Sequence, residues 1–168
     1  MLVPFIYSIV VMSDEIIVMS KGRIEQRGAP HDIYARPVNA YVSNFIGVAN
    51  LLNGRVAKVT EPGRGEVTVE QGGKTARLPC QLGVGVGDGD ETTLSVRPEN
   101  VHAVRENIGN NCLEGEVEHA IFLGNYVDCR VRWGDFEWKV IAHPRDHLKA
   151  GEKVFLKFDS EHTLAVQP

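Results

Sequence analysis

The order of apolar and polar positions divides the chain near residue 50. Between Asp14 and Gly47 the pattern is mixed. Ile16-Ile17-Val18-Met19 is a short apolar run bounded by Lys21-Gly22 and followed by Arg23-Ile24-Glu25-Gln26, which predicts a β-hairpin turning at Gly22. A second turn is expected at Arg27-Gly28. Pro30 stands where a first helical residue can do without its N–H, and Asp32 adds negative charge to that turn, so a short helix is expected through Ala35. Pro37 ends it and opens the next. Val38, Tyr41, Val42, Phe45 and Ile46 fall at i, i+3, i+4, i+7 and i+8, one apolar face of a second helix that stops at Gly47.

Beyond Asn50 the period becomes two. Glu66-Val67-Thr68-Val69-Glu70, a turn at Gly72-Gly73, and Thr75-Ala76-Arg77-Leu78 read as a hairpin. Val127 to Trp133, a turn at Gly134-Asp135, and Phe136 to Val140 read as another, each half-buried on alternate residues. About nine short strands with glycine turns predict a barrel or sandwich. The same region repeats. Leu52-Asn53-Gly54-Arg55-Val56 returns 61 residues later as Leu113-Glu114-Gly115-Glu116-Val117, and Leu94-Ser95-Val96 with Glu99 returns at an offset of 62 as Leu156-Lys157-Phe158 with Glu161. Two related β units are therefore expected, roughly 51–105 and 112–167, with interleaved strands, since neither alone makes a large core.

Composition narrows the function classes. Eighteen Lys and Arg against 22 Asp and Glu leave a net charge of −4 on 168 residues, which argues against capture of nucleic acid or anionic lipid. Cys80, Cys112 and Cys129 form no CxxC pair and read as small buried hydrophobes of a reducing compartment. The apolar run Leu2 to Met12 has no basic flank and about half the length a bilayer requires, so neither an export signal nor a span is expected from it.

Four features carry candidate chemistry. Arg97-Pro98-Glu99 suits a buried or inter-subunit ion pair, or is a strand end with two solvated charges. His143 and His147 lie at i, i+4 beside Asp146, but a metal site needs three or four convergent ligands, and Pro144 marks a loop. Tyr126, Trp133, Phe136 and Trp138 cluster on one hairpin, as a stacking face, a subunit interface or core. Leu82-Gly83-Val84-Gly85-Val86-Gly87-Asp88-Gly89-Asp90 has the glycines of a phosphate cradle but precedes a strand, so it reads as a flexible connection.

The stretch Met12-Ser13-Asp14-Glu15-Ile16-Ile17-Val18-Met19-Ser20-Lys21-Gly22-Arg23-Ile24-Glu25-Gln26, with Gly28-Ala29-Pro30, Asp32-Ile33-Tyr34, Arg36-Pro37, Phe45-Ile46-Gly47 and Asn50, resembles the end of the ATPase domain of an ABC importer's ATP-binding subunit. The branch is the one that handles polyamines, iron, sugars, glycerol phosphate and sulfate. The remainder of the chain, including Ser95-Val96-Arg97-Pro98-Glu99-Asn100-Val101, resembles that branch's regulatory TOBE (transport-associated OB) extension. The resemblance implies a mainly β fold, a tandem OB-like (TOBE) β-barrel with an N-terminal β-hairpin and two short helices. Residues 1–50 would be the remnant of the ATPase domain and residues 51–168 the regulatory domain.

It also implies a regulatory and dimerisation role in import of a small solute. Expected partners are a second copy of the chain, permease subunits reached through the ATPase domain, and a small-molecule effector, with no nucleic acid. The expected location is cytoplasmic, peripheral to the inner membrane. ATP and Mg²⁺ serve the parent family, but this chain has no GxxxxGK[ST] loop and no LSGGQ-type run, and the family's switch histidine aligns with Pro4. No catalytic, cofactor or metal residue is therefore expected, and no ATP hydrolysis by this chain alone. Arg97, Glu99, Tyr126, Trp133 and Trp138 are the candidate regulatory or interface residues. Residues 1–11 depart from the family and are expected to be a misassigned start, a frameshift scar or a degraded helix, swapped into a partner or poorly ordered if translated. The other reading is a stand-alone OB-fold protein that binds a small ligand or an oligonucleotide.

Overall fold

The computed structural model describes residues 13–107, 109 and 112–168. The expectation for residues 1–11 lies outside them. Strands β1 (Ile16–Ser20) and β2 (Arg23–Gly28) pair antiparallel. Lys21 at φ 48° and Gly22 at φ 76° supply the two left-handed residues that a two-residue hairpin turn requires. Helix α1 (Pro30–Ala35) has Pro30 in its first turn, and α2 (Ala40–Ile46) packs with it over the hairpin. Ile16, Val18, Ile33, Val42 and Ile46 form a small core of their own, with Tyr34 and Val38 against it.

The second helix starts later than the apolar spacing predicts, because Asn39 caps it by accepting from the Val42 amide at 2.9 Å. Val38 stays outside the helix, its amide donating to Gln26 Oε1. The expected apolar face also splits. Val42 and Ile46 are buried, whereas Tyr41 and Phe45 stack on each other at 6.0 Å and stay exposed. Seven residues cover only a narrow stripe of the hairpin beneath.

From Asn50 onward the described residues form ten strands where the pattern suggests about nine, the difference lying in short pieces. In chain order they are β3 (Asn50–Glu61), β4 (Arg64–Gln71), β5 (Lys74–Leu82), β6 (Glu91–Val96), β7 (His102–Val104), β8 (Cys112–Phe122), β9 (Val127–Trp133), β10 (Phe136–Ala142), β11 (Lys153–Lys157) and β12 (Thr163–Val166). Five of them close a barrel in the order β12-β5-β4-β3-β6, and five form a sheet in the order β10-β9-β8-β11-β7. The units interleave. The last strand, β12, lies parallel to β5 and antiparallel to β6 and shuts the first barrel. In exchange β7, from the first unit, pairs with β11 at the edge of the second sheet. One continuous core results, running from Leu52, Val67 and Leu94 to Val131, Trp138 and Phe158.

The repeated glycine has a shared cause. A Cβ on Gly54 would come 2.6 Å from the Thr68 carbonyl oxygen, and one on Gly115 would come 2.7 Å from that of Arg132. Each sits where the first strand of its unit curls over the second, and a side chain would hold the two backbones apart.

Candidate functional site

The polar chemistry concentrates at the seam between the hairpin-helix module and the barrel. Pro98 ends β6, so the residue before it is extended and its side chain leaves the barrel wall toward the two helices. That residue is Arg97, buried to 6% exposure. Its Nη1 donates to the carbonyls of Ser43 at 3.0 Å, Gly47 at 2.9 Å and Val48 at 3.3 Å. Its Nη2 donates to the carbonyl of Tyr34 at 3.2 Å, and the guanidinium lies 4.2 Å from the centre of the Tyr34 ring. The cation thus caps the carbonyl end of α2, where the helix dipole favours positive charge, and ties α1 to it. A rigid fork reaches carbonyls in several directions at once, which an ammonium does less well. Gly47 keeps this approach open, since a Cβ there would meet the Tyr34 ring at 3.3 Å.

Glu99 takes a different partner. The Tyr34 hydroxyl donates to Glu99 Oε1, which fixes the far edge of the ring that Arg97 covers. Two further ties cross the seam. Ser43 Oγ and Ser95 Oγ share a buried hydrogen bond of 2.7 Å, and the Ala40 amide donates to the Gln167 carbonyl at 2.9 Å.

A second joint links the barrel to the second sheet. The Asn50 carboxamide pairs with the outer edge of β10 as a strand residue would. Lys139 N donates to Asn50 Oδ1 at 2.7 Å, and Asn50 Nδ2 donates to Lys139 O at 2.9 Å. The turns of the two long hairpins meet nearby, with a Cβ on Gly72 falling 2.8 Å from Asp135 N.

Trp133 and Trp138 are core residues, at 4% and 0% exposure. Trp138 stacks on Phe158 at 5.2 Å and meets Phe136 edge-on at 5.3 Å, so its ring is spent on packing. Its Nε1–H has no hydrogen-bond partner among the described residues. Tyr126 is half-buried at the β8–β9 turn, next to the exposed Phe122 and Leu123. The glycine-rich loop uses its amides internally: Gly83 N donates to Ala165 O, Gly89 N to Val56 O, and Gly87 N to Asp90 Oδ2. His143 and Asp146 cap one short helical turn, with His143 Nδ1 accepting from Arg145 N. Among the described residues no group of three or more His, Cys, Asp or Glu could hold a metal ion. Burial pushes the Cys80 thiol up to about 12, with Glu66 adding to the effect, and the Cys129 thiol up to about 11, with Asp128 and Asp146 adding. Both are poor nucleophiles at neutral pH.

The closed barrel and the exchanged strands define a β module of OB-like architecture. Residues 94–166 match the TOBE domain family, and the chain is similar to the C-terminal region of ATP-binding subunits of ABC importers. Its relatives include the spermidine/putrescine import ATP-binding protein PotA of Clostridium acetobutylicum, 33% identical over 86% of this chain and 37% of that protein. The PotA of Frankia alni is 34% identical over 90% of this chain and 35% of that protein. The chain thus spans little more than a third of the length of the relatives it matches. Among solved structures, the cytoplasmic molybdate-binding protein ModG superposes with a TM-score of 0.59 at 17% identity, covering 71% of this chain and 96% of that one, a likeness of fold. Among the described residues no helix is long and apolar enough to cross a membrane.

Arg97 and Glu99 stand out in the sequence as a motif, but their partners do not. Tyr34, Ser43 and Gly47 lie about fifty residues or more upstream. The one available signal is Ser43, a polar residue among the buried positions of α2.

Proposed function

We propose that this chain is the regulatory and subunit-pairing end of an ABC importer's ATP-binding subunit. In this reading residues 1–50 are the last part of the ATPase domain and residues 51–168 the regulatory domain. Two copies pair across a two-fold axis at the cytoplasmic face of the inner membrane and reach permease subunits through the ATPase domain. A small effector biases opened against closed dimers. The chain does not turn over ATP itself, and ATP and Mg²⁺ are handled by the phosphate-binding motifs that its sequence lacks. The names of the relatives make spermidine and putrescine the first transported solutes to test.

The observation behind the reading is Arg97. A buried cation on the regulatory barrel holds the carbonyl ends of both helices of the preceding module, so a shift of one is passed to the other. Light scattering at two protein concentrations tests the pairing: a dimer is expected, and a strict monomer at high concentration overturns it. Co-purification with a PotA truncated to its nucleotide-binding part, followed by ATP turnover with and without this chain, tests the regulation. The alternative, a stand-alone small-ligand or oligonucleotide binder, predicts a monomer that leaves turnover unchanged.

A further inference from the structure

The two β units are built alike but finish differently. In the first, β5 runs nine residues, and its last two, Gln81 and Leu82, lie opposite Leu164 and Ala165 of β12. Gly83 N then donates to Ala165 O at 2.8 Å, and the barrel is shut. At the repeat offset of 62, the counterparts of Gln81, Leu82 and Gly83 are His143, Pro144 and Arg145, and those of Leu164 and Ala165 are His102 and Ala103 of β7. Here β10 stops after seven residues, at Ala142. Among the described residues no ladder joins it to β7. The two edges face each other across a cleft of about 470 Å³ lined by Ala103, Val104, Ile141, Ala142 and His143.

Loop length does not keep the edges apart. Gly89 comes six positions after Gly83, and Gly151 six after Arg145. Both glycines dock the same way, Gly89 N donating to Val56 O and Gly151 N to Val117 O. The obstacle is a turn. His143 Nδ1 accepts from Arg145 N at 3.1 Å, so the amide that corresponds to the closing donor is already engaged, and Asp146 Oδ2 accepts from His143 N at 2.9 Å. Arg105, just past β7, donates to Asp146 O at 3.0 Å. His147 ends the turn at φ 49°, a left-handed conformation that a residue with a Cβ adopts at a cost. His143, Arg145, Asp146 and His147 are exposed, so unwinding the turn gives up little burial.

We propose that residues 143–147 are a latch that holds the second barrel open, and that this barrel has a closed form in which the chain runs on through His143 and Pro144 beside β7 and Arg145 N donates to Ala103 O. His143 is already extended, at φ −76° and ψ 142°, so the chain has to change course only from Pro144 onward. The missing N–H of Pro144 is no bar, because the closing donor in the first barrel is Gly83, the counterpart of Arg145. Closure exchanges one acceptor of that amide for another and releases the strain at His147, which makes the turn a two-state element. In the regulatory reading the latch gives the module a second shape that leaves the Arg97 seam in place. That consequence rests on the reading, whereas the latch rests on the comparison of the two barrels.

The test is hydrogen exchange and relaxation dispersion of backbone amides on the purified chain. Exchange on the μs–ms scale is expected at residues 102–104 and 141–147 and not in β3 to β6. The triple variant His143→Gln, Pro144→Leu and Arg145→Gly carries the residues of the first unit, and it is expected to settle in the closed form, with the amide at 145 protected about tenfold more than in the parent. His143→Ala removes only the exposed acceptor and answers the question if the triple variant does not fold. With the cap gone, a closed barrel protects the amide at 145 and an open one leaves it bare, so a rise in protection is expected. Protection at 145 that rises in neither folded variant overturns the latch, whatever the dispersion of the parent. A chain that pairs in light scattering but shows no such rise keeps the regulatory reading and loses only the latch.

Discussion

Arg97→Met keeps most of the length of the side chain and removes the fork. Four carbonyls then lose their donor, those of Tyr34, Ser43, Gly47 and Val48. A hydrogen bond to a charged group contributes about 1.5–3 kcal/mol net, but here four acceptors share two nitrogens, and the loosened seam admits water, so the contributions do not add. About 3 kcal/mol of lost stability is the expected total, near the lower end for breaking a buried charged contact. In a chain of this size that is a Tm lower by about 6–12 °C. Arg97→Lys retains the charge but cannot reach both helices, and an intermediate loss of about 1–2 kcal/mol is expected. Calorimetry measures the size, and hydrogen exchange locates it: amides of α2 should lose protection while those of β3 to β6 keep theirs. A methionine variant that melts within about 1 °C of the parent, or that loses protection evenly across the barrel, would refute the seam as the seat of the effect.

Gly54→Ala and Gly115→Ala should each cost about 2–4 kcal/mol by urea denaturation, because the added carbon meets a backbone oxygen that cannot move away; a cost under about 0.5 kcal/mol at either would disprove the shared cause of the repeat. Trp138→Phe should cost less than about 1 kcal/mol, since the relief of an unpaired buried N–H offsets much of the lost packing, and a loss above about 3 kcal/mol would show that the N–H has a partner such as a bound water. The native state holds the Cys80 and Cys129 protons more tightly than the unfolded chain does. Their contribution to stability is therefore complete below the ordinary value of 9.0 and declines as pH rises toward about 11 and 12. Urea midpoints at pH 8 and pH 10 should show the decline, a Cys80→Ala variant should reduce it, and iodoacetamide should reach the half-buried Cys112 first; early labelling of Cys80 would contradict the burial.

What the sequence reveals of this fold is what local spacing encodes. The Gly22 turn, the Pro30 start and the two long hairpins are written in residues within about twenty positions of one another. The offsets of 61 and 62 carry the duplication as well, because the same curl demands a glycine in both units. The strand exchange is not legible. β7 has three residues and β12 four, too short for a period of two to register, and their partners are set by closure of the barrel. The seam is legible mainly on one side. Arg97 and Glu99 mark themselves beside Pro98, but backbone carbonyls are common to every residue, so apart from the buried polar Ser43 nothing in Tyr34 or Gly47 advertises that a cation will arrive there. The same holds for Asn50, whose side chain imitates a peptide group against Lys139. Trp133 and Trp138 invite reading as a surface because alternation alone cannot say which face of a sheet is covered.

The position of β12 has a consequence for how the protein is made. Thr163, the start of the strand that joins β6 to β5, comes 67 positions after Val96, the end of β6. At a synthesis rate of about 5–20 residues per second, the barrel waits roughly 3–13 s on the ribosome with both of those edges open. Unpaired edges are where strands of other chains add themselves. A stop codon just ahead of Thr163 would make that interval permanent, so losing the four residues of β12 would act less like trimming a tail than like removing a stave from a cask.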